Sequence, residues 1–197
     1  PYGDSNSASE YLDIIDGLLV PGGFYAMPDN WYEGKAEQSP YQETPRFEFE
    51  KSIITKALEI NLPMLCICGG MQVLAGLFGC KLTSDVNNIS ATNIEHFDLT
   101  KDHNINIEIN TILHKIVGKS VISTNSHHQE AIASVKDPII TSARAEDGVI
   151  EAIELQDKKF VVAIQWHPEM LCAKSEQITN FNPHYLIFKE FINAAKS

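Results

Sequence analysis

The sequence contains no run of basic residues and has few of them in total. Its 197 residues include 15 Lys and Arg against 26 Asp and Glu, which gives a formal net charge of −11. Affinity for nucleic acids depends on clustered Lys and Arg, so this charge argues against a nucleic-acid partner. With 44% hydrophobic and 21% charged residues, the composition is typical of a soluble globular protein.

Long hydrophobic runs are missing too, and cysteines are few. No apolar stretch approaches the ~18–20 residues that cross a membrane, so we expect no membrane partner. The cysteines are Cys66, Cys68, Cys80 and Cys172, whereas the disulfide framework of a secreted domain is usually denser in a smaller chain. We therefore predict a reducing compartment and a cytoplasmic location.

The chain also lacks internal repeats and linker-like segments, which predicts one domain over residues 1–197. Its first half alternates a strand at 17–20, a helix at 45–60, a strand at 64–67 and a helix at about 71–78. This order predicts a parallel sheet with helices on both faces.

The second half is richer in predicted strands. Asp147-Gly148 is typical of a hairpin turn between two of them, and a final helix is expected at about 183–195. Residues 1–10 are interpreted as a loop or a frayed end, and residues 24–44 as a longer loop that either covers a site or packs on its own aromatics. The candidate strands are 105–109, 121–124, 139–145, 150–155 and 160–164.

The segment Leu65-Cys66-Ile67-Cys68-Gly69-Gly70-Met71-Gln72 places a cysteine where a strand runs directly into a helix. This pattern is typical of a nucleophile elbow, a tight turn that presents one side chain above the sheet. The start of the helix would favour a thiolate at Cys68, and the Gly69 N–H would face a developing oxyanion. The alternative is a small buried residue at the junction.

A second strand end, Gln165-Trp166-His167-Pro168-Glu169, brings an imidazole to the edge of the sheet. Pro168 would bend the chain so that Glu169 returns to His167 and fixes its tautomer. A single histidine after a strand is usually structural. Together with an elbow cysteine, a His-x-Glu strand end favours a catalytic triad.

Three segments are similar, in order and spacing, to the signatures of class I glutamine amidotransferases: Pro21-Gly22-Gly23, the Cys68 segment and residues 165–169. Within that superfamily the chain most resembles the γ-glutamyl-γ-aminobutyrate hydrolase branch. The resemblance covers about residues 11–170. The supporting segments are 16–23, 61–65, 125–129 and 147–154.

This resemblance implies a flavodoxin-like three-layer α/β sandwich, with a mainly parallel sheet and an antiparallel extension. It implies Cys68 as nucleophile, His167 as general base and acid, and Glu169 as the orienting carboxylate. Gly23 and Gly69 would supply the oxyanion-hole N–H groups. No metal or organic cofactor is expected. The residues expected to contact substrate are Gln72, Ser126 and His128.

The chain departs from the family at several positions. Cys66 stands where the family usually has glycine, which predicts strain at a crowded turn, and Gly69 stands where the branch usually has arginine. After Ser126 the branch has two histidines and a glutamine, whereas this chain has His128, Gln129 and Glu130 at the ungapped positions. The family's first strand and helix have no counterpart before about Tyr11, which we interpret as a truncated chain or an unusual variant.

The resemblance and the departures from it leave three functions open. The first is a stand-alone hydrolase of γ-glutamyl amines, and the second is a glutaminase subunit that passes ammonia to a separate synthase, favoured by the Cys-Gly-Gly elbow. The third is a non-catalytic regulatory homologue, favoured by Cys66. The substrate would be a γ-glutamyl amide or glutamine, and a homodimer is left open.

Two further cysteine and histidine groupings are less favoured. A metal site of His127, His128, His167 and Cys68 matches no standard ligand spacing. A redox pair of Cys66 and Cys68 lacks the usual two-residue gap.

Overall fold

A computed structural model of the chain describes residues 7–34, 39–92, 94–174 and 182–197. The strands are β1 Leu18–Val20, β2 Met64–Ile67, β3 Lys81–Thr83, β4 Asp102–Ile107, β5 Val121–Asn125, β6 Ala131–Ser134, β7 Ile140–Ala145, β8 Ile150–Glu154 and β9 Val161–Ile164. The helices are α1 Ser7–Leu12, α2 Pro45–Glu59, α3 Gly69–Leu77, α4 Ile112–Val117, α5 Pro168–Lys174 and α6 Pro183–Lys196. None of these helices combines the length and apolar character that a bilayer crossing needs.

The central sheet has seven strands in the order β1-β2-β9-β8-β7-β4-β5. β1, β2 and β9 pair in parallel, and the remaining strands are added by antiparallel pairs. Five of the seven strands (β1, β2, β9, β7 and β5) run in one direction, and β8 and β4 run in the other. The mainly parallel sheet with an antiparallel extension is therefore confirmed. β3 and β6 form a separate antiparallel pair.

The sheet separates two hydrophobic cores, because successive side chains of a strand point to opposite faces. From β2, Met64 and Cys66 enter one core, which also contains apolar residues of α2 and α3. Leu65 and Ile67 enter the other, which contains apolar residues of α4 and α6. The molecule is thus the expected three-layer sandwich, with helices on both faces of the sheet.

The predicted elements of the parallel half lie within two residues of the observed bounds, and each candidate strand of the second half is present. The loop predicted at 1–10 is wrong for its described part, because Ser7–Leu12 forms α1; residues 1–6 lie outside the described ranges. In 24–44, leaving aside 35–38, the only helical turn among described residues is Asp29–Trp31.

The short helix α4 was not predicted, because a distant residue completes its first turn. Thr111 caps the helix with its side chain, and Gly118 ends it with a left-handed backbone. The carboxylate of Glu154, at the end of β8, accepts the N–H groups of Ile112 at 2.8 Å and Leu113 at 3.2 Å. Since a helix start leaves such groups without intrahelical partners, this buried carboxylate satisfies donors that the local sequence cannot.

We expect Glu154→Ala to lower the free energy of unfolding by about 1–3 kcal/mol, because two N–H groups lose their acceptor in a buried place. Glu154→Gln keeps one acceptor oxygen and should lose less. Urea unfolding followed by circular dichroism measures both. Glu108→Ala, at an exposed position, is the control, and an equal effect of Glu154→Ala and Glu108→Ala would contradict this account.

Candidate active site

Cys68 lies at the turn between β2 and α3, with φ 50° and ψ −110°. A positive φ is uncommon for a residue with a Cβ and indicates local backbone strain. The Cys68 N–H donates to the carbonyl of Ile164 in β9 at 2.7 Å, so the end of the neighbouring strand holds the turn. The elbow predicted from the sequence is therefore present, and the strain lies at Cys68 itself.

The predicted strain at Cys66 is not observed. Cys66 lies in the strand β2 and has no left-handed backbone. Its thiol is fully buried in the core that contains α2 and α3, and burial, with a smaller effect of the Glu50 charge, raises its pKa. Cys68 belongs to the core on the opposite face. The two cysteines therefore do not form a redox pair.

The glycines around the elbow are required by close approaches of backbone segments. A Cβ on Gly69 would lie 2.6 Å from the Gly23 carbonyl oxygen, and one on Gly70 would lie 2.7 Å from the Val20 carbonyl oxygen. Either contact is too short for a side chain. The start of α3 is thus pressed against β1 and the Pro21-Gly22-Gly23 turn, which brings the two predicted oxyanion-hole residues together.

Gly22 stands between the predicted nucleophile and the predicted base. A Cβ at this position would lie 2.9 Å from His167 Cε1, 3.0 Å from Cys68 Cβ and 3.7 Å from Cys68 Sγ. Residues from three separate segments therefore meet at one point above the carboxyl ends of β1, β2 and β9. This is where a doubly wound α/β fold places its site.

His167 follows β9, and its position is fixed by both its ring and its main chain. Nδ1 lies 2.6 Å from Glu169 Oε1, on the first turn of α5. Its backbone N–H and carbonyl are held at 2.9 Å and 3.0 Å by the side-chain amide of Asn125. Nε2 is buried and has no hydrogen-bonding partner among the described residues.

The electrostatic surroundings of His167 favour its charged form. Burial alone would lower the pKa of this imidazole, but the neighbouring Cys68 sulfur and the Glu169 carboxylate raise it to about 10. An imidazolium that persists above neutral pH can donate a proton to a leaving group. The three residues predicted as a triad are therefore brought together and coupled.

Arg46 and Glu50, which sequence reasoning missed, hold the Pro21-Gly22-Gly23 turn from α2. Arg46 Nη2 donates to the carbonyls of Pro21 and Gly22, each at 2.9 Å. Its Nε lies 2.6 Å from a Glu50 carboxylate oxygen, and Glu50 also accepts the Tyr25 hydroxyl. Nothing in the helix pattern of 45–60 distinguishes these two charged residues from a solvated face.

Two of the three predicted substrate residues reach a narrow cavity beside Cys68, and Ser126 does not line it. Gln72 is held there by bonds from Nε2 to the Glu130 carbonyl, 3.0 Å, and to Gln165 Oε1, 3.2 Å. Ser126 instead lies 3.1 Å from His96 Nδ1 in a buried cluster. The cavity is lined by Gly23, Phe24, Tyr41, Cys68, Gln72, His128, Gln129 and Glu130.

The aromatic loop after the glycine turn also borders this region. Phe24 packs on Tyr41, with ring centroids 5.0 Å apart, and on His127 at 5.5 Å. Ser39 and Tyr32 bond the carboxylate of Glu130, whose pKa is raised by burial to about 7. The described part of the loop therefore lies against the cavity that contains Cys68, as the lid interpretation requires.

The sequence profile of the family described as Peptidase C26 matches residues 1–169. A glutamine amidotransferase-like protein of Rickettsia prowazekii is 32% identical, with all of this chain and 82% of the relative aligned. The γ-glutamyl-γ-aminobutyrate hydrolase PuuD of Escherichia coli is 26% identical over 81% of this chain and 66% of its own length.

Solved structures show the same fold at lower identity. The glutaminase domain of CTPS from Trypanosoma brucei, determined with bound acivicin, superposes with a TM-score of 0.70 at 19% identity, over all of this chain and 80% of that domain. A protein from Thermoplasma acidophilum, described as a component of GMP synthase, gives 0.65 at 20% identity, over 98% and 78%.

The fold and the site thus define a class I glutamine amidotransferase-like α/β protein. More narrowly, the chain belongs to the Peptidase C26 family.

We expect the His167 ring to remain protonated until about pH 10 and to lose its proton at markedly lower pH in Glu169→Gln, because the amide no longer stabilises the imidazolium. NMR titration of the histidine ring protons measures this, with exposed Glu108→Gln as control. The same His167 titration in wild type and in Glu169→Gln would contradict the pairing of His167 with Glu169.

The raised pKa of His167 also makes stability depend on pH. Because its pKa in the folded protein exceeds the ordinary 6.5, the contribution of His167 to stability is complete below about pH 6.5 and is lost as pH rises through about 10.

Proposed function

We propose that this protein hydrolyses γ-glutamyl amide bonds, with Cys68 as nucleophile, His167 as general base and acid, and Glu169 as the orienting carboxylate. The observation that carries the proposal is the strained elbow at Cys68, beside an imidazole already bonded to a carboxylate. A buried core cysteine requires neither feature. Membership of the Peptidase C26 family and the name of the Escherichia coli relative support the γ-glutamyl specificity.

In the first half-reaction, the Cys68 sulfur attacks the γ-carbonyl carbon and the carbonyl π electrons move to oxygen. The N–H groups of Gly23 and Gly69 stabilise this oxyanion, a contribution worth ~10²–10³ in rate for each donor. When the carbonyl re-forms, the C–N bond breaks and His167 protonates the leaving amine. The product is a γ-glutamyl thioester on Cys68.

In the second half-reaction, neutral His167 takes a proton from water, and the hydroxide oxygen adds to the thioester carbon. Collapse of the second tetrahedral intermediate breaks the C–S bond and releases glutamate. The sulfur leaves beside a protonated His167, which restores the starting pair. Glu169 stabilises the imidazolium in both halves, and these steps need no metal or organic cofactor.

The glutamyl group would bind at the narrow cavity beside Cys68. Its volume of about 10 Å³ is that of roughly one water molecule, so its lining has to move apart when substrate binds. Gly23, Gln72 and His128 line it and are the residues that we propose contact this group. A contact of Ser126 with substrate stays a prediction, because its hydroxyl faces His96. The four cysteines are free thiols, which supports a reducing compartment such as the cytoplasm.

A glutaminase subunit that supplies ammonia to a separate synthase is the second candidate. The Cys-Gly-Gly elbow and the two structural neighbours from synthases favour it. The two functions share the thioester chemistry and differ in the leaving group. A purified stand-alone hydrolase turns over γ-glutamyl amines unaided, whereas a glutaminase subunit hydrolyses glutamine and accelerates sharply when its synthase is added.

We expect Cys68→Ser to reduce hydrolysis of a panel of γ-glutamyl amides and glutamine by at least ~10³-fold, since a hydroxyl is a weaker nucleophile than the sulfur at the same turn. Cys172→Ser, at a half-buried position on α5, is the control and should retain activity. Chromatographic measurement of released glutamate identifies the preferred amine. Full activity of Cys68→Ser would refute the nucleophile, and an inert wild-type protein that no glutamine-like electrophile labels would favour the regulatory homologue.

We expect Arg46→Gln to lower kcat by about 10- to 100-fold, because the Gly22 and Gly23 peptides lose the guanidinium that fixes them, and small misplacements at a site cost about this much. Arg144→Gln provides the control: Arg144 also donates to a backbone carbonyl, that of Gly148 at 3.0 Å, but does not line the cavity. Steady-state kinetics compares the two. Equal kcat values would show that the Arg46 contacts do not position the turn.

A further inference from the structure

Three histidines and a glutamate meet in a buried cluster behind the candidate active site. His96 precedes β4, His103 lies on β4, His128 lies between β5 and β6, and Glu151 lies on β8. Their side chains are 0%, 7%, 1% and 0% exposed. The proposed amide hydrolysis uses none of His96, His103 and Glu151. We call these four residues the histidine cluster.

The ring nitrogens of the cluster converge on one carboxylate oxygen. Glu151 Oε1 lies 3.4 Å from His128 Nε2, 3.5 Å from His96 Nδ1 and 3.7 Å from His103 Nε2. Neither Glu151 oxygen has a hydrogen-bonding partner among the described residues, and the same holds for His103 Nε2 and His128 Nε2. A fully buried carboxylate without hydrogen-bonding partners carries a large desolvation cost, which a cation at the centre of the cluster would offset.

The far side of each ring is already occupied. His96 Nε2 lies 2.9 Å from the Asp147 carboxylate, His128 Nδ1 lies 3.0 Å from the Glu130 carbonyl, and His103 Nδ1 lies 3.3 Å from the Asn104 carbonyl. If each ring donates its N–H to that oxygen, the other nitrogen presents a lone pair to the centre of the cluster. Acceptors bonded on the outer nitrogens are the usual surroundings of metal-binding histidines.

The distances distinguish a shared cation from direct ion pairs. A charged imidazole bonded to a carboxylate normally has N···O near 2.7–2.9 Å, and His167 with Glu169 shows 2.6 Å in this molecule. The cluster distances of 3.4–3.7 Å are too long for that. Ligand atoms placed tetrahedrally at ~2.0–2.1 Å from zinc lie ~3.3–3.4 Å apart, which is close to the distances from Glu151 Oε1 to His128 Nε2 and His96 Nδ1.

We propose that His96 Nδ1, His128 Nε2 and a Glu151 oxygen bind a divalent transition metal ion, with zinc the best match. The donor atoms of these three lie within 4.8 Å of one another. His103 Nε2 lies 3.7 Å from Glu151 Oε1 but outside this group of mutually close donor atoms, so it becomes the fourth ligand by moving toward the centre of the cluster. The Ser126 hydroxyl, 3.1 Å from His96 Nδ1, competes for that lone pair and has to turn its proton elsewhere when the metal binds.

With four protein ligands the site is closed and therefore structural, because catalytic zinc keeps an open position. The metal would join the segment before β4, β4 itself, the β5–β6 connection and β8. That connection begins after Asn125, which holds the main chain of His167, and His128 within it lines the cavity. The metal site shares His128 with the cavity beside Cys68, and it is tested by metal binding rather than by activity.

The test uses the full chain, treated with chelator and then titrated with Zn²⁺ and, separately, Co²⁺. We expect one equivalent to bind, a rise in Tm that chelator reverses, and a Co²⁺ absorption spectrum of tetrahedral nitrogen and oxygen coordination without a thiolate charge-transfer band. Glu151→Gln should weaken binding at least 100-fold. His114→Gln, on a half-exposed face of α4, should bind as wild type.

A second pair of variants separates this site from adventitious binding at the elbow. Cys68→Ser removes the thiol near His167 and should leave stoichiometric Co²⁺ binding intact. If Glu151→Gln does not fold, Asp147→Asn replaces it and should weaken binding 10- to 100-fold through His96. The proposal is overturned if no stoichiometric metal binds, if Co²⁺ shows a thiolate band, or if binding is lost in Cys68→Ser and kept in the cluster variants.

Discussion

The backbone of Cys68 turns from β2 into α3 in a left-handed conformation that a residue with a Cβ adopts only at a cost. In that turn the start of α3 lies against β1. A Cβ on Gly69 would lie 2.6 Å from the Gly23 carbonyl oxygen, and one on Gly70 would lie 2.7 Å from the Val20 carbonyl oxygen, so neither position has room for a side chain. With the turn formed, the Pro21-Gly22-Gly23 segment packs between Cys68 and His167, where Gly22 approaches both side chains closely. The positions of the other site residues depend on this packing.

Much of the parallel half of the fold could be predicted, because its elements have strong local patterns. Met64–Ile67 is a continuous apolar run followed, after Cys68, by two glycines, and Pro45 begins a helix with a clear apolar stripe. α4 and the β3–β6 pair could not be predicted. The first turn of α4 depends on Glu154, 42 residues away, and β3 and β6 are short strands paired across about fifty residues of chain.

The candidate site divides in the same way. Cys68, His167 and Glu169 are visible in the sequence because each follows a strand end within a few residues. Arg46 and Asn125 are not, since each acts on backbone atoms of a segment distant in the chain. Glu50 is not visible either, because it acts through the side chains of Arg46 and Tyr25. The histidine cluster is likewise assembled from four separate segments. His128 could be singled out only by its resemblance to a family segment, and the sequence does not show that its partners are His96, His103 and Glu151.

The central claim is that Cys68 forms a γ-glutamyl thioester, and mass spectrometry of protein quenched in acid during turnover tests it most directly. The account predicts one γ-glutamyl group on the peptide that contains Cys68, absent from a sample quenched before substrate is added. Fragmentation separates Cys68 from Cys66 on the same peptide. Turnover with an unmodified Cys68 under conditions where thioesters survive, or the adduct on Cys66 or Cys172, would contradict it.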